Sequence, residues 1–422
     1  MSLTQDSSLA DWLAWLEQCH PVEIDLGLER IHRVYDALAL PKSSAKVITV
    51  AGTNGKGSVV AMLEAILTAA GYRVGAYTSP HLIAYNERIR INGQPVSERN
   101  ITHAFAAINR VRGAVSLTYF EFGTLAALSC FHESDVDVML LEVGLGGRLD
   151  AVNIIDADVA MITTVDIDHQ EWLGETRDKI GFEKAGIMRS QRPVIIAERT
   201  VPDSVLQYAS ECQARVRQLG RHYDYAVADA DWSWKRCDDT TALSHLPAPA
   251  LPGKQQFQNA AAVIEALQCL PELSISEPAI HRGLSDVRLV GRCQVIRTEP
   301  LWLVDVSHNV QAVQALANVI ASMPVTGRTH ALFAMLQDKA IAESLATIAA
   351  QIDIWWIFDL HVPRAASLET LQAAILQVNP QAQVYSFANV AAAITAMQAQ
   401  LHQNDRVIGF GSFYTVAQIM QQ

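Results

Sequence analysis

Residues 47–58 read VITVAGTNGKGS, and this stretch decides how the rest of the sequence is interpreted. Residues 47–50 are β-branched and mostly apolar, as in a strand that is buried on both faces of a parallel sheet. Glycines follow at positions 52, 55 and 57 and allow successive backbone N–H groups to turn inward around an anion. From Val59 the apolar residues recur at helical spacing. The order of strand, glycine-rich turn and helix is typical of a phosphate-binding loop.

Two side chains of this loop have the chemistry that a nucleotide site needs. Lys56 brings a positive charge, and the hydroxyl of Ser58 is placed as a Mg²⁺ ligand would be. The helix that follows directs the positive end of its dipole at the same anion. The spacing departs from the strict loop pattern because Gly57 separates Lys56 from Ser58. A turn that merely connects a strand with a helix therefore stays open as the alternative.

The composition sets bounds on the class of protein. With 422 residues, of which 50% are hydrophobic, the chain is long enough for two or three domains. Its net charge of −12 argues against a nucleic-acid partner. The six cysteines have no paired spacing, the first residues lack the pattern of a signal peptide, and no apolar run is long enough to span a bilayer. We therefore expect a cytoplasmic monomer that binds neither nucleic acid nor membrane.

Polar residues follow three further apolar strands, at the edge where parallel sheets bind ligands. Ser79 follows the strand predicted over 73–78, Glu142 follows the strand over 136–141, and His169 follows the strand over 158–165. A carboxylate directly after a buried strand and beside flexible glycines is the expected position of a Mg²⁺ ligand. Each residue also has a plain structural alternative. Ser79 would then form a turn before proline, Glu142 would cap a helix or pair with a cation, and His169 would be an ordinary surface side chain.

The alternation of strands and helices restarts near residue 290 and predicts a second, smaller domain. We expect an α/β fold in which residues 1–290 form a doubly wound domain of the P-loop type and residues 291–299 form a linker. Residues 300–422 are expected to form a Rossmann-like domain without a phosphate loop. Its first strong strand ends in DVSHN, residues 305–309. The region around Trp232 and Trp234 is less regular, and no element is predicted there.

Together, the motifs of this chain resemble those of a known enzyme family. From about residue 24 to residue 418, in consistent order, the chain contains GTNGKGS, TSPHL, NERIRING, EVGLGGRLDAVN, DHQEWLG, EKAGI, DVSHN and GSFYTVA. This set is similar to that of the dihydrofolate synthase/folylpolyglutamate synthase family, which belongs to the ATP-dependent Mur ligase-like enzymes. The resemblance implies a ligase that uses ATP to convert a carboxylate into an acyl phosphate, which the amine of L-glutamate then attacks. The implied acceptors are dihydropteroate and reduced folates.

The resemblance also implies which residues form the site. It assigns ATP binding to the loop and to three positions further along, namely Gly52, Thr53, Asn54, Gly55, Lys56, Gly57, Ser58, Asn259, Arg292 and Asp305. It implies two Mg²⁺ sites, the first at Ser79 and Glu142 and the second at His169. It gives catalytic roles to Lys56, Lys184 and His308, with Lys184 converted to a carbamate. Position and composition alone give Lys184 no special role, since a lysine in a helix is ordinarily solvated.

The implied pterin site consists of three segments of the chain. They contain Asp25, Leu26, Gly27, Leu28, Thr118, Tyr119, Phe120, Glu121, Leu149, Asp150 and Ala151. The first two segments resemble the bifunctional bacterial branch, which makes dihydrofolate and then adds further glutamates to reduced folates. For the segment 24–35 alone, a solvated helix start stays open.

One stretch departs from the family pattern, and three alternative functions stay open. Residues 337–340 read QDKA, whereas the family often has a second aspartate after the lysine, which weakens any role for Ala340 and affects no metal ligand. The alternatives are a monofunctional folylpolyglutamate synthase, a relative that acts on cell-wall peptides, and a non-catalytic nucleotide-binding protein with the same fold.

Overall fold

The computed structural model describes residues 3–228 and 231–422, which divide into two compact units. The first unit contains the chain up to Ala250 together with Phe257–Val287, and the second contains Leu251–Gln256 and Arg288–Gln422. Each unit has a predominantly parallel sheet with helices between its strands. This confirms the predicted α/β class, with a larger phosphate-loop unit followed by a smaller Rossmann-like one.

The first unit is organised around one large, mostly parallel sheet. Its strands are β1 (Lys46–Ala51), β2 (Val74–Tyr77), β3 (Ile89–Ile91), β4 (Gln94–Pro95), β5 (Val138–Glu142), β6 (Val159–Ile162), β7 (Pro193–Ile196) and β8 (Arg215–Gln218). They lie in the order β4-β3-β2-β5-β1-β6-β7-β8, and the pairings are parallel except those of β3 with its two neighbours. The expected hairpin is present, with Asn92 and Gly93 at positive φ between β3 and β4.

Helices connect these strands and cover the sheet. They are α1 (Leu9–Leu16), α2 (Glu29–Leu38), α3 (Lys56–Ala69), α4 (Glu98–Val111), α5 (Tyr119–Glu133), α6 (Gln170–Leu173), α7 (Arg177–Ala185), α8 (Asp203–Glu211), α9 (Gln255–Gln268) and α10 (Glu277–Asp286). Short 3₁₀ helices lie at Tyr85–Arg88 and Ala151–Ile154. Because β1 is buried on both faces and leads directly into α3, the phosphate loop lies at the carboxyl edge of the sheet, with neighbouring strands on either side.

The region around the two tryptophans forms an antiparallel sheet that the sequence analysis does not predict. Its strands are β9 (Tyr223–Val227), β10 (Trp232–Arg236) and β11 (Ala242–Leu246). Trp232 and Trp234 alternate along β10 and are 1% and 0% exposed, so both face inward. The strands are short and their other residues are largely polar, which hides the alternation in the sequence.

The second unit has a six-stranded sheet. Its strands are β12 (Gln294–Thr298), β13 (Leu301–Asp305), β14 (Thr329–Phe333), β15 (Ile354–Phe358), β16 (Gln383–Phe387) and β17 (Arg406–Phe410), in the order β12-β13-β17-β14-β15-β16. The helices are α11 (Val310–Ser322), α12 (Ile341–Ala346), α13 (Leu368–Val378), α14 (Val390–Gln398) and α15 (Phe413–Met420), with a 3₁₀ helix at Ala349–Gln351. Residues 291–299, expected as a linker, include β12, which pairs antiparallel with β13. Within the described chain, every helix is too short or too polar to span a bilayer.

Candidate active site

The phosphate loop is held in place by the segment that follows β6. Thr53 donates its backbone N–H to the carbonyl of Thr164 (2.8 Å), and Asn54 donates to the Thr164 hydroxyl (2.9 Å). The Thr163 hydroxyl donates to the carbonyl of Asn54 (2.6 Å). The Lys56 ammonium lies over the loop and donates to the carbonyl of Gly52 (2.9 Å). These bonds fix the loop before any ligand contributes, which lowers the entropic cost of binding.

Two glycines of the loop are required by its packing. A Cβ on Gly52 would lie 1.8 Å from the Thr163 hydroxyl oxygen, and Gly52 has φ +154°. Gly55 has φ +89° and precedes α3, and a Cβ there would lie 3.1 Å from the side chain of Asn259. The structure therefore brings Asn259 of α9 against the loop. Ser58 lies in the first turn of α3 and is buried.

The predicted metal ligands lie on neighbouring strands of one sheet edge. Ser79 follows β2 and Glu142 ends β5, and these strands are adjacent, with β1 and β6 next in order. The backbone N–H of Ser79 donates to Glu142 Oε2 at 3.4 Å, so the structure brings these two residues together. His169 lies one loop further along the same edge, at φ +52°, with its Nε2 4.0 Å from a carboxylate oxygen of Asp168. Its side chain is 42% exposed, so ligands can reach it.

Lys184 is a buried lysine rather than the solvated one that its helix position indicates. Its exposure is 3%, and burial lowers its pKa from 10.5 to about 7, an effect that the charge of Lys56 increases and the charge of Asp168 opposes. The helix end that contains Lys184 is closely packed. A Cβ on Gly147 would lie 3.1 Å from the carbonyl of Lys184, so the glycine loop after β5 covers this end of α7. Near neutral pH the amine is substantially uncharged, which is the form that reacts with carbon dioxide.

The oxygen-bearing side chains at this sheet edge fit Mg²⁺ only when a nucleotide supplies further ligands. Among residues 3–228 and 231–422, no three His, Cys, Asp or Glu side chains converge into a preformed metal cluster. Mg²⁺ typically binds through one or two carboxylates together with water and substrate phosphates. Glu142 beside Ser79, at the same edge as the phosphate loop, matches that requirement.

Two of the predicted pterin segments are joined by ion pairs through a residue that the sequence analysis does not identify. Arg30 lies 2.7 Å from the carboxylate of Asp25 and 3.2 Å from that of Glu121, so it links segment 25–28 with segment 118–121. Asp25 also contacts His20, whose Nε2 lies 3.1 Å from the same carboxylate. Thr118 and Glu121 also form a capping box at the start of α5.

The third pterin segment leads into the 3₁₀ helix Ala151–Ile154, which packs against α5, and the glycine loop before it contacts the second segment. A Cβ on Gly144 would lie 2.7 Å from the ring of Phe120, and the Phe120 ring is 5.7 Å from that of Tyr77. Asp150 is 3% exposed, and its carboxylate accepts the backbone N–H groups of Leu145 (2.8 Å) and Val152 (3.0 Å). The structure thus brings all three predicted segments together, and it shows Asp150 bracing the glycine loop. Leu149 is half-buried, Ala151 is buried, and residues 25–28 are half-buried.

The predicted residues of the second unit lie around the end of β13. Asp305 is buried, and its carboxylate accepts the backbone N–H groups of Cys293 and Ser307, both at 2.8 Å. The guanidinium of Arg292 lies 5.8 Å from the ring of Phe413, and the ring of His308 lies 6.2 Å from the same ring. Arg292 and His308 therefore share one aromatic neighbour, at the carboxyl edge of the second sheet.

Comparisons with known proteins identify the family of this chain. Residues 50–267 match the Mur ligase middle domain, and residues 291–413 match the Mur ligase glutamate ligase domain. The chain is 44% identical over 415 residues to the dihydrofolate synthase/folylpolyglutamate synthase of Escherichia coli, covering 98% of this chain and 95% of that protein. The chain belongs to the dihydrofolate synthase/folylpolyglutamate synthase family. Its fold class and its membership of the Mur ligases are thereby confirmed.

Solved members of the family have closely similar structures. The Escherichia coli FolC in complex with DHPP and ADP has a TM-score of 0.94 at 43% identity, and the match covers 100% of this chain and 98% of that one. A bifunctional folylpolyglutamate synthase/dihydrofolate synthase with Mn, AMPPNP and L-glutamate bound has a TM-score of 0.91 at 42% identity, with 100% and 99% coverage. These two family members thus hold a nucleotide, and one also holds a divalent metal and the amino acid.

Several residues that contact the predicted site segments are not identified from the sequence. Besides Arg30 and His20, they include Glu198, whose carboxylate accepts the backbone N–H of Val165 (3.0 Å). Arg177 donates to the carbonyl of Val165 (2.7 Å), so the side chains of Glu198 and Arg177 together fix the segment that leads to His169. Burial raises the pKa of Glu198 to about 7. Its position just after β7, on the same edge, was the available signal.

Burial of Asp150 predicts a pH-dependent contribution to stability. Burial raises the pKa of its carboxyl from 3.8 to about 6, although Leu145, Val152, Gly144 and Lys56 act in the opposite direction. Between about pH 4 and pH 6 the folded state therefore keeps a proton on Asp150 that the unfolded state has lost. The contribution of Asp150 to the free energy of unfolding is complete below about pH 4 and is lost as pH rises through about 6. We expect the stability of the wild type relative to Asp150→Asn to fall by on the order of 2 kcal/mol between those limits.

Urea unfolding of both proteins across this pH range measures the effect. The asparagine variant keeps the size of the side chain and lacks the titration, so pH effects from all other groups cancel in the difference. A stability difference that does not vary with pH would contradict the assignment.

Proposed function

We propose that this chain is an ATP-dependent ligase that joins L-glutamate to dihydropteroate and adds further glutamates to reduced folates. The observation that carries the proposal is the position of the phosphate loop and the Ser79–Glu142 pair at one sheet edge, together with the ion pairs that link segment 25–28 with segment 118–121. Family membership at 44% identity supports both activities, because the Escherichia coli relative is named for both. In this reaction ATP phosphorylates the acceptor carboxylate, and the amine of L-glutamate displaces phosphate to form an amide.

Charge repulsion is the main obstacle that the site has to overcome. Bringing a carboxylate up to the terminal phosphate of ATP costs about 4 kcal/mol for each unit-charge pair at 4 Å and a moderate dielectric. The end of a helix offsets only about 0.3–1 kcal/mol. Lys56 is positioned to supply further positive charge at the loop. Two bound Mg²⁺ ions, when present, would neutralise phosphate charge, with Ser79 and Glu142 proposed for one and His169 for the other.

The remaining site residues receive roles in the same proposal. The loop residues 52–58 and Asn259 bind ATP, and Lys184 serves as a carbamate that adds a negative ligand beside the metal ions. The second unit, residues 291–413 of which match the glutamate ligase domain, contributes Arg292 and Asp305 to ATP and His308 to the reaction. The segments 25–28, 118–121 and 149–151 hold the pterin. The unpaired state of all six cysteines supports a reducing, cytoplasmic setting, and we propose a monomer.

A comparison of acceptors tests the proposed function. Purified protein with ATP, Mg²⁺ and L-glutamate is given dihydropteroate in one reaction and a reduced folate in the other, and ADP release and the amide product are measured. We expect product from both acceptors. Product from the reduced folate alone would instead identify a monofunctional folylpolyglutamate synthase. If neither acceptor leads to ADP release, the ligase assignment is contradicted.

A further inference from the structure

Arg88 is a half-buried cation that the proposed site leaves without a role. It ends the 3₁₀ helix Tyr85–Arg88, within the NERIRING motif. Its guanidinium carbon lies 5.4 Å from the ring centre of Tyr85 and 5.5 Å from that of Tyr119. Its Nε donates to Nδ1 of His81 at 2.8 Å. Two aromatic rings and an imidazole thus fix the plane and direction of the guanidinium.

No acidic side chain in the described part of the chain neutralises this charge. None of the carboxylates of residues 3–228 and 231–422 lies within ion-pair distance of Arg88. The neighbouring carboxylate, Glu87, is already engaged, because it accepts the backbone N–H groups of Leu82 (2.7 Å), Ile83 (2.9 Å) and Ala84 (2.7 Å). By contrast, Arg90, two residues further along the chain, is paired with Glu64 at 2.8 Å. A partly desolvated guanidinium without a carboxylate is unusual and favours an anionic ligand.

The position of Arg88 indicates which anion it meets. Its backbone carbonyl accepts the N–H of Thr78, immediately before the proposed metal ligand Ser79. On its other side it contacts Tyr119, which belongs to a proposed pterin segment. Arg88 therefore lies between the region assigned to the pterin ring and the region assigned to metal and phosphate. In pteroate, the aminobenzoyl group leads from the pterin ring towards the metal and phosphate region and ends in the carboxylate that is to be phosphorylated, which is the anionic group of this acceptor.

We propose that Arg88 binds the reacting carboxylate of the pteroyl acceptor. The inference rests on the proposed ligase function and adds a specificity determinant to it. A planar guanidinium recognises a carboxylate through parallel N–H···O bonds, whereas a neutral amide at the same place lacks the charge. Arg88 thus selects the free acid and opposes the repulsion between that acid and the phosphate of ATP. The amide product no longer carries the charge that Arg88 binds, so its release is favoured.

Binding measurements that need no turnover test this assignment. Pteroate and its primary carboxamide are titrated calorimetrically into the wild type, Arg88→Gln and Arg88→Lys, each saturated with ADP. We expect the wild type to bind the carboxylate at least about tenfold more tightly than the carboxamide. In Arg88→Gln the two ligands should bind within about twofold of each other, and Arg88→Lys should fall between. Arg110→Gln is the matched control, because Arg110 is an exposed arginine of the same unit on α4, and it should discriminate as the wild type does.

Steady-state kinetics identify which substrate carboxylate is bound. In Arg88→Gln the KM for dihydropteroate should rise at least about tenfold, while the KM values for L-glutamate and ATP stay within about twofold. A rise confined to the KM for L-glutamate would overturn the proposal, and so would full discrimination in Arg88→Gln by calorimetry. If Arg88→Gln melts well below the wild type, Arg88→Lys is used for the test instead. If Arg88→Lys then prefers the carboxylate over the carboxamide as strongly as the wild type does, with an unchanged KM for dihydropteroate, recognition by the two parallel N–H groups of the guanidinium is contradicted. A wild type that binds no pteroate at all would instead contradict the proposed function itself.

Discussion

Replacement of Lys56 by alanine is expected to reduce ADP formation with dihydropteroate and L-glutamate by about 10³-fold or more. The ammonium lies over the phosphate loop, donating to the carbonyl of Gly52, and its removal leaves the phosphate charge uncompensated where the acceptor carboxylate must approach. The same substitution removes one of the two causes that hold the pKa of Lys184 low, so that pKa should rise. Initial rates of ADP release at saturating Mg²⁺ measure the loss.

A lysine outside the site provides the control for this prediction. Lys42 is exposed and precedes β1, so Lys42→Ala changes the net charge equally and should leave the rate within about twofold. Circular dichroism and thermal melting establish that both variants are folded. A folded Lys56→Ala protein with near-normal turnover would remove the phosphate loop from the proposed mechanism.

Lys184→Ala is expected to reduce activity by a similar factor, with partial recovery when a short carboxylate such as acetate is added. In the proposed role, the neutral amine of Lys184 would add to carbon dioxide, so that a C–N bond forms, one C=O π bond opens and a proton leaves to solvent, which would give a carbamate anion. Burial and the nearby charge of Lys56 favour the uncharged amine that this step needs. Acetate can occupy the space left by the truncated side chain and supply a carboxylate of similar charge. Carbon-13 NMR of protein equilibrated with labelled bicarbonate should show a carbamate signal in the wild type alone.

The matched control lies on the same helix. Lys179 is exposed on α7, so Lys179→Ala should retain both activity and the carbamate signal. Absence of the signal from the active wild type, or full activity of Lys184→Ala without added carboxylate, would contradict the proposed role.

The strand ends were predictable from the sequence because their signal is local. Each buried strand is a short apolar run, and in a parallel sheet its carboxyl end lies beside those of its neighbours. That reasoning alone identified Ser79, Glu142 and His169 as neighbours along one edge, and the order β2-β5-β1-β6 agrees with it. The glycines at 52 and 55 were likewise recognisable, since positive φ and close approach leave glycine as the suitable residue.

Features that depend on distant packing were not predictable from spacing. Lys184 lies in a helix like many solvated lysines, yet it is buried, and the loop at Gly147 packs against the backbone at this end of the helix. Arg30 joins Asp25 to Glu121 across more than ninety positions of the sequence, and no periodic pattern indicates such a contact. The strands β9–β11 were missed because Trp232 and Trp234 show the inward alternation on one short strand only. In each case the deciding interaction is tertiary.

The central claim is that nucleotide phosphates, metal and acceptor meet at the carboxyl edge of the first sheet. Anomalous scattering from Mn²⁺ in crystals of this protein grown with a non-hydrolysable ATP analogue tests it most directly. The account predicts phosphates against residues 52–58 and a metal at roughly 2.1 Å from a carboxylate oxygen of Glu142. Phosphates bound elsewhere, or a metal away from Glu142 and Ser79, would contradict it.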